Sequence, residues 1–154
     1  MRRASPFGEC RKRWQRQSAA NKLLDHRRVA PEGLFQRPHL YLVGEAPGAA
    51  EAAQGKPFVG PAGNALRKML EESGIDPGQL RSANAIPFRP IEHSKDCKPS
   101  NRSPTTEEIQ CYGAAVLNDI RRSRPGVIVA LHHSGSPIRR VTVDSSGPQG
   151  KAAI

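Results

Sequence analysis

Apolar side chains along the chain fall into short continuous runs separated by stretches with helical period. Leu40-Tyr41-Leu42-Val43 is one such run, and it breaks abruptly into the Gly/Pro-punctuated segment Gly44-Glu45-Ala46-Pro47-Gly48. A run this short, bounded by turn residues, predicts a buried strand. Val127-Ile128-Val129-Ala130-Leu131, set off by Pro125-Gly126, predicts a second, buried and parallel. A third, briefer strand is expected within Ser82–Phe88, after the polar turn Asp76-Pro77-Gly78, with Pro87 ending it in a loop. Between these runs the period changes. Leu66, Met69 and Leu70 stand at i, i+3 and i+4 and predict a helix over 63–74, with Gly74 as its C′ residue. Thr105-Thr106-Glu107-Glu108 has capping-box spacing and opens a second helix, with Ile109, Tyr112, Val116, Leu117 and Ile120 on one face. Strand, helix, strand, helix, strand predicts an α/β fold: three αβα layers around a central parallel sheet, with a ligand crevice at the strands' carboxyl ends.

Composition narrows the picture. A chain of 154 residues suits one domain with tails. Residues 1–38 read as a basic, partly helical N-terminal arm, residues 39–131 as the α/β domain, and residues 132–154 as an irregular C-terminal tail. Trp14, set among arginines of the arm, is expected to cover the core. The formal charge of +10 points to a polyanionic partner, most simply nucleic acid. Three cysteines without paired spacing give no disulfide framework and suit a reducing cytoplasm. No apolar run is long enough to span a bilayer, so no membrane partner is expected.

The candidate chemistry sits in the loops. Gly44 and Gly48 permit positive φ or close approach to a ligand, Pro47 stiffens the turn between them, and Glu45 is its one carboxylate. Phe58, in Pro57-Phe58-Val59-Gly60, is a ring in a loop and a candidate stacking platform. Asn84 ends the brief strand with a side chain that both donates and accepts; taken alone such a residue is more often a turn or capping residue. The polar stretch from Arg89 to Pro104 reads as a loop with Arg89, Lys98 and Arg102 as candidate phosphate contacts. Glu92, His93, Asp96 and Cys97 there have metal-capable side chains, but their spacing forms no recognised site, and no metal is expected.

The segment GEAPGAAEAAQGKPFVGPAG, the following LRKML, Asn84 within SANAIPFRP, and Asn101-Arg102-Ser103-Pro104 together resemble the uracil-DNA glycosylase superfamily, closest to its family 4 and family 5 branch, over residues 39–131. The resemblance implies hydrolysis of the N-glycosidic bond of uracil in single- or double-stranded DNA for base excision repair, by a monomer of the bacterial cytosol. It implies uracil binding by the loop of Ala46, Pro47 and Gly48, stacking by Phe58 and edge reading by Asn84. Glu45 would stabilise the sugar cation or orient the water; its plainer reading is a loop carboxylate capping nearby amides. Family 4 members carry an iron–sulfur cluster on four cysteines, of which only Cys10 and Cys111 match here; Phe88 stands at the third position, and Cys97 falls in an apparent insertion over residues 92–99. No cluster is therefore expected. The family's later His-Pro-Ser motif is not found at its place. His132-His133-Ser134-Gly135-Ser136-Pro137 arrives directly at the strand end, and the expectation is a truncated or frame-altered sequence after Leu131 without the final elements. The alternative function is a catalytically impaired DNA-binding paralogue or truncated gene product. A small nucleotide-binding module is disfavoured, since no Lys-Ser/Thr ending follows the glycine loop.

Overall fold

The computed structural model describes residues 24–25, 27–93, 98–131 and 140–141. In chain order the elements are β1 (Leu24–Asp25), β2 (Glu32–Gly33), β3 (Leu40–Gly44), α1 (Ala49–Gln54), α2 (Pro61–Glu72), β4 (Leu80–Asn84), β5 (Arg89–His93), β6 (Pro99–Asn101), α3 (Thr106–Ser123), β7 (Val127–Leu131) and β8 (Arg140–Val141).

The two apolar runs and a third strand, Leu80–Asn84, which begins two residues before the expected Ser82–Phe88 stretch and ends before Ala85, form the parallel centre of a five-stranded sheet of order β2-β4-β3-β7-β8. β3 pairs with β4 from Leu40↔Leu80 to Gly44↔Asn84, and with β7 from Leu40↔Val127 to Gly44↔Leu131. The two-residue strands β2 and β8 close the edges antiparallel. From β3 the chain passes through α1 and α2 to β4 on one side, then through α3 back past β3 to β7 on the other. Right-handed crossovers that run in opposite directions lay their helices on opposite faces, which is how a mostly parallel sheet covers both sides. The same reversal opens a crevice at the carboxyl ends of β3 and β4, where Gly44 and Asn84 lie side by side.

Period-two alternation assigns the faces of β3. Tyr41 is fully buried with Ala83, Ile128 and the α3 residues Val116 and Ile120, and Val43 packs against this cluster; Leu42 is buried on the other face. A polar network locks the α3 side. Asp119 accepts from Tyr41 Oη at 2.5 Å and from Arg81 Nε and Nη2 at 2.7 and 2.8 Å, while Arg81 Nη1 donates to the Gly33 carbonyl at 3.1 Å. Burial by itself would raise the Asp119 carboxyl, but the hydrogen bonds from Arg81 and Tyr41 outweigh it and hold the group below its ordinary value. Burial and the Asp119 charge together push the Tyr41 phenol up.

Helix ends follow local chemistry. α2 begins on Pro61, where a missing N–H costs nothing, and ends in a Schellman arrangement: Gly74 at φ 70°, its N–H donating to the Glu71 carbonyl and that of Ile75 to the Leu70 carbonyl, both at 3.0 Å. The capping box of α3 is present. Glu108 N–H donates to Thr105 Oγ1 at 3.3 Å, and Thr105 N–H donates to Glu108 Oε2 at 2.8 Å.

Several sequence expectations shift. Met69 is 61% exposed, and the inward stripe of α2 runs instead through Gly63, Leu66 and Leu70. The described part of the expected basic arm belongs to the fold: Leu24–Asp25 pairs with β5, Glu32–Gly33 pairs with β4, and Val29 is buried. The stretch read as a loop after Arg89 is a hairpin, with Ile91↔Asn101 and Glu92↔Ser100 in register, and with β1 it makes a second sheet of order β1-β5-β6. Within the expected irregular tail, Arg140–Val141 pairs with β7. Cys10, Trp14, Asp96, Cys97 and the segment 132–137 lie outside the described residues.

Candidate active site

The parallel ladder continues one step past the strands. Ala85 N–H donates to the Gly44 carbonyl at 2.7 Å and Ile86 N–H to the Glu45 carbonyl at 3.4 Å, which fixes half-buried Glu45 at the rim of the crevice. Pro47 is buried, and Gly48 is the N-cap of α1. Glu51, in the first turn of α1, then ties two loops together. Its Oε2 accepts from Gly48 N–H at 3.1 Å and its Oε1 from Gly60 N–H at 2.7 Å. A carboxylate taking two backbone N–H groups at helix starts is favoured by charge-assisted bonding and by both helix dipoles. Sequence reasoning missed Glu51. The available signal was an acid three residues beyond the cap position, the spacing of a capping box.

Phe58 is held in an unusual backbone state. Its φ is 55°, in the left-handed region that aromatic residues rarely occupy, and Arg67 Nη2 donates to its carbonyl at 3.3 Å. Gly63 makes room for it: a Cβ there would sit 2.6 Å from the Phe58 Cα and run into its carbonyl. The ring leans over the end of β3. A Cβ at Gly44 would overlap Asn84 Oδ1 and lie 3.0 Å from Phe58 Cζ, so the glycine at 44 serves close approach of a ring and an amide, not a positive φ. Asn84 Nδ2 is buried and has no hydrogen-bond partner among the described residues. A buried donor left unsatisfied carries its full desolvation penalty, which a ligand acceptor would relieve. Glu45, Phe58, Asn84 and the Ala46–Gly48 loop thus converge on one crevice.

Within that loop the donors are few. Pro47 has no N–H, and the Gly48 N–H is engaged by Glu51, so Ala46 supplies the amide this triplet can turn toward a ligand. Of the candidate phosphate contacts, Arg89 is buried and its Nε donates to Asn101 Oδ1 at 2.7 Å. Arg102 is likewise engaged internally, reaching the Ile91 and Ser103 carbonyls and both oxygens of Glu108, the latter at 2.8 and 2.6 Å. Arg89 ties the two hairpin strands together and Arg102 braces the hairpin against α3, whereas Lys98 is exposed.

The described residues do not fit the four-thiolate cluster that the resemblance implies. At the third ligand position the Phe88 ring meets Tyr112 edge-on, with centroids 5.4 Å apart, and the neighbouring Cys111 is an exposed free thiol. Among the described residues no three metal-capable side chains come together, and no helix is long and apolar enough to cross a membrane.

Comparison with known proteins adds the missing context. The chain is 41% identical over 92 residues to a type-4 uracil-DNA glycosylase of Thermotoga maritima, covering 60% of this chain and 44% of that protein. It is 36% identical over 96 residues to one of Archaeoglobus fulgidus, covering 62% and 44%, and 35% identical over 104 residues to one of Sulfurisphaera tokodaii, covering 67% and 43%. The matched region thus spans less than half the length of these relatives. Residues 32–146, which include every element from β2 to β8, match the family model of the uracil DNA glycosylase superfamily, and the chain belongs to that superfamily.

Proposed function

We propose that the chain binds uracil-containing DNA, single- or double-stranded, and releases the base by hydrolysing its N-glycosidic bond, as a cytosolic monomer working without an iron–sulfur cluster. The observation that carries this reading is the buried Asn84 Nδ2, without a hydrogen-bond partner among the described residues, beside the Phe58 ring. An extruded uracil presents an N3–H donor next to the O4 acceptor. Asn84 Oδ1 accepts the first and Nδ2 donates to the second, whereas cytosine would set acceptor against acceptor and donor against donor. Phe58 stacks on the base. As the bond from C1′ to N1 breaks, its electron pair stays on the uracil and cationic charge develops on the sugar. The Ala46 N–H stabilises the departing anion, and the Glu45 carboxylate stabilises the cation and orients the water that attacks C1′. Water's oxygen bonds to C1′ and its proton leaves to solvent.

The test is release of uracil from a labelled oligonucleotide by the purified chain, with Glu45→Ala and Asn84→Asp beside it. Both substitutions are expected to lower the rate by about 10²-fold or more. Salt-sensitive DNA binding without release would instead assign the chain to non-catalytic DNA binders.

A further inference from the structure

The end of the molecule opposite the crevice carries charge that the proposed site does not use. Arg121 and Arg122 lie in the last turn of α3, Arg124 caps that helix, and Arg37 comes from a separate segment whose N–H donates to the Ser123 carbonyl at 2.7 Å. All four residues are exposed, and none is in an ion pair among the described residues. The carboxylate nearest in sequence, Asp119, is already engaged by Arg81 and Tyr41. Arg122 is set over the ring of Phe35, 5.7 Å from its centroid, and the Arg81 guanidinium lies 4.8 Å from the same centroid.

The backbone gives an independent reason to examine the side chains of this surface. Arg37 and Arg124 both occupy left-handed conformations, with φ of 49° and 52°. Glycine would hold either position without steric cost, and glycine is the usual residue where a helix ends this way. Strain of this kind is a pointer to function when the residue bearing it has an exposed, chemically capable side chain. The α3 dipole favours a cation at each of these positions, Arg37 included, but its C-terminal end amounts to about half a negative charge and does not balance four guanidinium groups.

We propose that Arg37, Arg121, Arg122 and Arg124 form a second DNA-backbone contact, separate from the base pocket. The proposal rests on the DNA-binding part of the reading above. Guanidinium forks match phosphate oxygens in pairs, and a cluster without carboxylates discriminates in favour of a polyanion. α3 has 18 residues, so its two ends are about 27 Å apart. Its first turn lies beside the crevice and its last turn carries the arginines. Phosphates held at this patch therefore belong to a different stretch of DNA from the nucleotide in the pocket.

The test is equilibrium binding of a uracil-free duplex across a salt series, comparing the wild-type chain with Arg37→Gly/Arg124→Gly. The glycine variant relieves both left-handed positions, so its thermal midpoint is expected to stay level or rise. Loss of two phosphate contacts is expected to reduce the slope of log Kobs against log salt by about 1.8. Uracil release at saturating DNA is expected to be unchanged. If circular dichroism shows that the glycine variant does not fold, Arg121→Gln/Arg122→Gln reads the same slope. An unchanged slope in a folded variant overturns the proposal and leaves the patch to an acidic protein. A wild-type chain that releases no uracil but still shows the slope change sinks the glycosylase reading alone.

Discussion

At Gly44 a Cβ would meet both the Asn84 amide and the Phe58 ring of the candidate pocket. Gly44→Ala would force one or both aside. The expected result is a loss of uracil release of about 10²-fold, the scale of a displacement near 1 Å in a reacting geometry. The accompanying loss of stability is expected to be about 1–3 kcal/mol, as for overpacking elsewhere; single-turnover kinetics and urea titration of the same sample separate the two. At this scale the sequence is most legible where a residue acts through its own type and its local motif. Glu45, Phe58 and Asn84 could be picked out because a carboxylate, a ring and an amide stood in or beside glycine loops after strand signals. Glu51 carried only a capping-box spacing to Gly48, and its second bond, to the Gly60 N–H nine residues on, has no local signature.

Between elements, side chains distant in sequence decide the packing. Asp119 on α3 joins Tyr41 on β3 and Arg81 on β4, and Arg81 extends the link to β2. Asp119→Ala would strand Arg81, whose side chain is only 10% exposed, and is expected to cost about 3 kcal/mol in urea or thermal unfolding. The same group predicts a pH response. Its folded pKa lies below the ordinary carboxylate value, so the folded state binds fewer protons than the unfolded one. Its contribution is present above the unfolded pKa, near 3.9, and is lost as pH falls through the folded value. The wild-type chain is therefore expected to lose stability below about pH 4 more steeply than Asp119→Asn, which cannot titrate there. Helix boundaries were legible, since the Thr105–Glu108 box and the Gly74 terminus depend on residues close in sequence. The hairpin of β5 and β6 was not. It contains Pro90 and Pro99, has little apolar alternation, and finds its third strand at Leu24–Asp25, far back in the chain. The network around Asp119 was equally hidden, because its partners gave no local signal.

For the whole molecule, alternation of strand and helix signals was sufficient to place the three central strands, and right-handed crossovers then fix which ends form the crevice. The edge strands escaped because two residues make no pattern. The count of three cysteines, one fewer than a four-thiolate cluster needs, leads to a measurable expectation at this scale. Chain purified without oxygen is expected to contain no stoichiometric iron and no visible charge-transfer absorption, while Phe88→Ala, which removes the half-buried ring packed on Tyr112, is expected to cost about 1–3 kcal/mol in thermal or urea unfolding. Iron bound in proportion to protein would refute the first expectation.

The Glu51 clamp bears on the order in which this architecture is assembled. Its bonds reach residues three and nine positions away, whereas β3 must find partners beginning at Leu80 and Val127. Closing a short loop is fast and entropically cheap, and long-range strand pairing is slow. The segment from Gly44 to Gly63 is therefore expected to adopt its bend while the sheet is still searching for its register, giving the later, costlier contacts a local start.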